Sequence, residues 1–136
     1  MRAYVDSSAL LKRIFAEGES TALKASLSLH AHEGVALASS ALAWIEVSRA
    51  VRAYANNNSA IDVDEPVGAA LSGILEKPIS PEVVALARRL RPPVMRSLDA
   101  IHLASALLLD ADLLIAYDQG LLAAARHHGI TVSSPG

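Results

Sequence analysis

Four acidic residues, Asp6, Glu46, Asp99 and Asp118, each stand near a point where an apolar run meets a helical one. Carboxylates gathered at such points suit one chemistry in particular. Their hard oxygens bind a hard divalent cation, which lowers the pKa of a bound water and holds a phosphodiester for in-line attack. Asp6 follows Ala3-Tyr4-Val5, a short run that reads as a strand buried on both faces, and is followed at once by Ser7 and Ser8. Two roles are open to it. Asp and Ser are preferred helix N-caps, and the carboxyl edge of a parallel sheet is where ligands bind.

Each of the other acids also has an ordinary alternative. Glu46 lies at the margin of the apolar stripe Ala43, Val47, Ala50, Val51 and Tyr54, where it can pair with Arg49 at i+3 or turn towards a site. Asp99 falls in the first turn of a helix capped by Ser97, where an acid also complements the helix dipole. His102, one turn on, reads as a packed or hydrogen-bonded histidine, because the other four histidines are not spaced to share a site with it. Asp118 ends the clearest buried strand, Leu113 to Tyr117.

The elements that must position these residues alternate. After the first strand comes a helix from Ala9 to Phe15, then one from Thr21 to His32, closed by Gly34. Val35 to Ala38 is a second strand, and Ser39-Ser40 caps a long helix from Ala41 to about Asn56. Asn56 to Ser59 breaks it, and Ile61 to Ser72, with Asp62, Asp64, Glu65 and Pro66, reads as a loop or short helix with a solvated acidic face. Gly73 to Ile79 holds a short edge strand, since Pro78 argues against a central one. Ser80-Pro81 opens a helix to Leu90, Ser97 another to Leu109, and Gln119 a third to His128. Ile130 to Val132 is a last strand. Between two of these helices, Arg88, Arg89, Arg91 and Arg96 form the one dense basic cluster, either a solvated helix end or a contact for phosphates.

Composition narrows the choices. The 136 residues suit one domain, 1–136, that buries roughly two thirds of its unfolded surface. Hydrophobic residues at 52% against 19% charged argue against disorder. A formal net charge of −2 means that any nucleic acid must be met by a local basic patch or a bound cation. The absence of cysteine excludes disulfides, a thiol nucleophile and Cys-ligated metal sites. No signal peptide is visible, and the greasy stretch Leu103 to Tyr117 is too short and too charged to span a bilayer. The expectation is a soluble cytoplasmic protein with no membrane partner.

Strands alternating with helices give a mainly parallel sheet with helices on both faces, joined by right-handed crossovers. All strands then end along one edge. Asp6 and Asp118 follow strands and share that edge, whereas Asp110 and Asp112 precede a strand and fall at the opposite one. Glu46 and Asp99 lie near helix starts, which puts Glu46 at the same edge directly and Asp99 by a weaker step. Two like charges at close range cost about 4 kcal/mol at an effective dielectric near 20. Four clustered acids therefore take up protons or bind a cation, and with oxygen ligands alone that cation is Mg²⁺, or Mn²⁺ in its place.

These same residues resemble a known family. Asp6-Ser7-Ser8-Ala9-Leu10-Leu11-Lys12 resembles the opening motif of PIN-domain ribonucleases, specifically the VapC toxins of bacterial toxin–antitoxin pairs. Ser39 to Ala50, around Glu46, is similar to their second motif; Leu98 to Ala106, around Asp99, to the third; and Tyr117-Asp118 to the fourth. The resemblance implies a three-layer α/β/α sandwich. It implies a catalytic site of Asp6, Glu46, Asp99 and Asp118, with Asp6 and Asp99 as direct metal ligands; the roles expected here are Asp6, Asp99 and Asp118 holding the metal and Glu46 positioning or deprotonating the attacking water. It further implies Mg²⁺-dependent endonucleolytic cleavage of RNA, inhibition by a cognate VapB-type antitoxin, and homodimerisation. Ala116 departs from relatives that carry a hydroxyl there, which removes one supporting hydrogen bond. Two other classes compete: a phosphomonoesterase with an aspartyl nucleophile, which would want a second Asp where Ser8 stands, and a non-catalytic PIN-like interaction module.

Overall fold

The computed structural model describes residues 1–56, 58, 60 and 62–136. Five strands and seven helices alternate among them. The order is β1 (Arg2–Val5), α1 (Ser7–Leu11), α2 (Ser20–His32), β2 (Ala36–Ser40), α3 (Ala41–Ala55) and α4 (Asp64–Leu71). Then come β3 (Leu75–Lys77), α5 (Pro81–Ala87), α6 (Ser97–Leu108), β4 (Leu113–Ile115), α7 (Gln119–His127) and β5 (Thr131–Ser133). The strands form one sheet in the order β3-β2-β1-β4-β5, and every pairing is parallel.

β1 is the pivot. The chain builds outwards from it through β2 to β3 on one side, then returns to lay β4 and β5 on the other. The switch point is therefore between β1 and β4, where Val5 faces Ile115 in register. Strand alternation sends Ala3 and Val5 into a core built from α1 to α4, with Leu10, Leu23, Leu27 and Val47. Tyr4 and Leu114 point the other way, into a core of α5 to α7 with Val83, Leu103, Leu121 and Leu122. The expected three-layer α/β/α sandwich with a parallel sheet is the observed one.

The differences are local. The first helix is one short turn, and Ser7 and Ser8 lie inside it. Ser40 is at once the last residue of β2 and the N-cap of α3, where its hydroxyl accepts from the Leu42 N–H at 3.0 Å. Between Ile61 and Ser72, the helix α4 wins over a loop, with Asp64, Glu65 and Pro66 in its first turn. Asn57, Ser59 and Ile61, part of the expected break, lie outside the described residues. The β4 strand stops at Ile115, which frees Tyr117 to bond through its hydroxyl to the Pro135 carbonyl. Among the described residues no helix is long and apolar enough to cross a membrane.

Leu114 is fully buried on β4, against the helices that carry Asp99 and Asp118. Leu114→Ala is expected to lower the unfolding free energy by about 2–5 kcal/mol, read by urea denaturation.

Candidate active site

Asp6 is both a cap and a buried acid. Its backbone N–H extends the β1–β4 ladder by donating to the Ile115 carbonyl at 3.1 Å. Its side chain caps α1: Oδ1 accepts from the Ala9 N–H at 3.0 Å and from the Ser8 hydroxyl at 2.7 Å. The Ser8 oxygen in turn accepts from the Tyr117 N–H at 3.2 Å, stitching the end of β1 to the segment that leads to Asp118. Asp6 is only 4% exposed. Burial pushes its carboxyl above the ordinary aspartate range, against the downward pull of the hydrogen bonds from Ser8 and Ala9. Oδ2 takes no hydrogen bond from the described residues.

Glu46 does not pair with Arg49. Its Oε1 lies 2.7 Å from His102 Nε2, across from α3 to α6. His102 is 2% exposed, and its Nδ1 lies 2.6 Å from the Tyr4 hydroxyl. The Tyr4 oxygen already accepts from the Ser40 N–H at 3.1 Å. Burial raises the Tyr4 phenol far above its ordinary value, so it keeps its proton and donates it to Nδ1. Nε2–H then donates to Glu46, and every group in the chain Ser40–Tyr4–His102–Glu46 is satisfied. His102 is thus the hydrogen-bonded histidine that its spacing suggests, but it also orients one of the four acids.

The Tyr4 hydroxyl is the part that sequence reasoning missed. The signal was present, because a tyrosine in a strand buried on both faces must find a partner for its O–H. Which partner it finds depends on β1 lying beside β2 and beneath α6, which pattern alone does not give.

Asp99 and Asp118 form the other half of the site. Asp99 sits in the first turn of α6, partly buried; desolvation raises its carboxyl, and the charge of Asp118 raises it further. Asp118 caps α7 through Oδ1, which accepts from the Leu121 N–H at 2.9 Å. Gly120 gives it room, since a Cβ there would meet Asp118 Oδ1 at 3.2 Å. The two acids line one small pocket of ≈ 280 Å³ with Arg96, Met95 and Gly120.

The four acids therefore come as two groups, Asp6 beside Glu46–His102 and Asp99 beside Asp118. The charge of Glu46 raises the Asp6 and Asp99 carboxyls alike, which ties the groups together electrostatically. No three or more histidine, aspartate or glutamate side chains among the described residues come close enough to enclose a metal ion. Nor does a lysine or arginine among them form a salt bridge with any of the four; Lys12 is taken by Glu17 and Glu19.

The raised carboxyls carry a pH signature. A folded-state pKa above the ordinary aspartate value of 3.8 means that the folded form binds more protons over the window between the two values. That contribution to stability is fully present below the ordinary value and is lost as pH rises through the folded value. Asp6→Asn is therefore expected to melt a few degrees above wild type near neutral pH in EDTA, with the gap closing as pH falls towards 3.8. Thermal melts of both proteins across the pH series check this.

Comparison with known proteins fits this frame. A PIN domain matches residues 3–127. The chain is similar to Ribonuclease VapC47 of Mycobacterium tuberculosis (strain CDC 1551 / Oshkosh), 35% identical over 135 residues, which is 98% of this chain and 96% of that one. It is also similar to Ribonuclease VapC46 of M. tuberculosis (strain ATCC 25618 / H37Rv), 39% identical over 134 residues, covering 97% and 96%. Its fold is similar to that in the crystal structure of VapBC2 from Rickettsia felis bound to a DNA fragment from their promoter, with a TM-score of 0.78 at 13% identity over the whole of both chains. A toxin–antitoxin complex from Klebsiella pneumoniae gives a TM-score of 0.67 at 24% identity, covering 98% of each chain. A parallel sheet with its switch point beside β1 and relatives aligned almost end to end lead to one conclusion: the chain belongs to the PIN-domain family, among the VapC-type proteins.

Proposed function

We propose that residues 1–136 are a single PIN-like domain acting as an Mg²⁺-dependent endoribonuclease toxin. The supporting observation is a set of acids at the carboxyl edge of a parallel sheet, two of them with raised pKa values, with no lysine or arginine among the described residues in a salt bridge with them. Such a site is destabilising by itself and becomes favourable when a cation binds. The all-oxygen donor set suits Mg²⁺, with Mn²⁺ as a substitute. Mg²⁺ commonly takes one or two carboxylates and keeps several waters, so acids in two groups suit it without a three-residue cage. The ribonuclease names of the relatives support RNA as the substrate. The toxin–antitoxin complexes among the structural neighbours support inhibition by a VapB-type antitoxin. A homodimer in the cytoplasm completes the proposal.

The residues that would hold the ion are Asp6, through the free Oδ2, Asp99 and Asp118; because no three side chains among the described residues enclose an ion, one or two would bind it directly and the rest through its waters. Bound there, it supplies neutralising charge for the phosphodiester and a more acidic water. Glu46 would orient the attacking water and accept its proton at Oε2, because Oε1 is held by His102. His102 and Tyr4 are positioning residues: they fix the direction of Glu46 and touch no substrate. Ser8 donates to Asp6 where an aspartyl phosphatase would place its second acid, which favours the nuclease over the phosphomonoesterase.

Asp6→Asn and Asp99→Asn are each expected to abolish Mg²⁺-dependent RNA cleavage with circular dichroism unchanged. Mg²⁺ is expected to raise the wild-type melting temperature by mass action, and Asp99→Asn to remove that rise. Full cleavage by Asp6→Asn would end the assignment. Tyr4→Phe leaves His102 Nδ1 without its donor. Its kcat is expected to fall about tenfold with KM unchanged, the loss typical of a group that orients a reacting one.

A further inference from the structure

Beside the Asp99–Asp118 pocket runs a second, larger groove of ≈ 710 Å³, between α5, the segment 88–96 and the start of α6. Arg88, Arg89 and Arg91 line it, together with Leu90, Met95 and Ile101. It adjoins the acidic pocket, because Pro92 and Met95 line both. We propose that this groove is the track on which a single strand of RNA lies while its next phosphodiester enters the acidic pocket. The proposal rests on the nuclease function of that pocket and names the surface that grips its substrate.

Charge is the first argument. The three arginines are exposed and form no salt bridge among the described residues. Arg89 spends one N–H on the Ala85 carbonyl, and no side-chain hydrogen bond is seen from Arg88 or Arg91. Three uncompensated guanidinium groups on a chain of net charge −2 are a local choice, not an effect of composition. They match a polyanion, and guanidinium planes both bind phosphate and stack on bases.

Shape is the second. The volume falls within the range of about 300–1,000 Å³ that holds a ligand of one or two nucleotides. Its apolar floor of Leu90, Met95 and Ile101 suits unstacked base faces, which a duplex hides. The track is also anchored: His128 Nε2 donates to the Arg91 carbonyl at 2.9 Å, tying the arginine segment to the end of α7. Since α7 begins at Asp118, the same helix fixes the acid at one end and the arginines at the other.

The test uses the full chain. In an Asp6→Asn background with EDTA, binding of a labelled single-stranded oligoribonucleotide of about 10 nucleotides is followed by anisotropy against salt. Adding Arg88→Gln, Arg89→Gln and Arg91→Gln together is expected to weaken binding at least tenfold at low salt. The slope of log K against log salt should shrink by about 2, at ~0.7 per lost phosphate contact. With Asp6 restored, the triple variant is expected to cleave the same RNA with raised KM and unchanged kcat. A control that removes equal charge elsewhere, Lys24→Gln, Arg52→Gln and Arg126→Gln, is expected to leave the slope near wild type. An unchanged slope in the arginine variant, or an equal change in the control, overturns the proposal. So does intact RNA binding accompanied by lost association with a protein partner, which makes the groove a protein dock. Arginine-dependent RNA binding by a wild-type protein that cleaves nothing keeps the track and sinks the nuclease. Cleavage indifferent to the arginines does the reverse.

Discussion

Negative charge gathered without an internal counter-ion is the constraint that the rest of this fold accommodates. A carboxylate buried as deeply as Asp6 loses most of its hydration, and a neighbouring acid makes matters worse. The protein answers with fixed dipoles instead of opposite charges. Asp6 and Asp118 each cap a helix, so each takes an N–H that would otherwise be unsatisfied. Asp99 sits in the first turn of α6, within the positive end of the helix dipole. A lysine or arginine in the same place would have settled the charge completely and left nothing for a cation or a phosphate to do.

The parallel sheet makes this possible. When β1 and β4 lie side by side, two strand-to-helix junctions open onto one edge, and both helix N-termini face it. The edge is therefore acid-tolerant by construction. The opposite edge receives strand starts and helix ends. There Asp112 serves as a tie, accepting from the Arg2 N–H at 2.9 Å. The same residue type thus ties a strand start at one rim and caps helices at the other, and the difference is the direction of the chain.

Much of this was legible in the sequence because it depends on local pattern. The alternation of apolar runs with capped helical ones gave the layers, and Pro78 correctly demoted β3 to the edge. The separation of Asp6 and Asp118 from Asp110 and Asp112 needed only the order of strand and acid. What pattern could not give were contacts between distant segments. Glu46 and Arg49 have the right spacing to pair, yet Glu46 turns to His102, 56 residues away, because α6 crosses β2 and brings a buried histidine into reach. The partners of the Tyr4 hydroxyl were out of reach for the same reason: they come from β2 and α6, and neither is near it in sequence. The length of α1 was overestimated because Ala9 to Phe15 has helical composition. The observed helix ends at Leu11, and Lys12 is drawn to Glu17 and Glu19 and over the Tyr117 ring.

The arginines show the same economy with the sign reversed. Arg96 lines the acidic pocket and pulls the Asp99 carboxyl down, but only as a weaker influence than burial and Asp118, and without forming a salt bridge. Arg88, Arg89 and Arg91 line the neighbouring groove and likewise form no salt bridge among the described residues. Opposite charges on one surface normally find each other, since even an exposed pair gains up to about 1 kcal/mol. Here the segment carrying the arginines is held from both ends, by the His128 bond to the Arg91 carbonyl and by the start of α6 at Ser97. Basic and acidic side chains thus line neighbouring pockets without forming a salt bridge among the described residues.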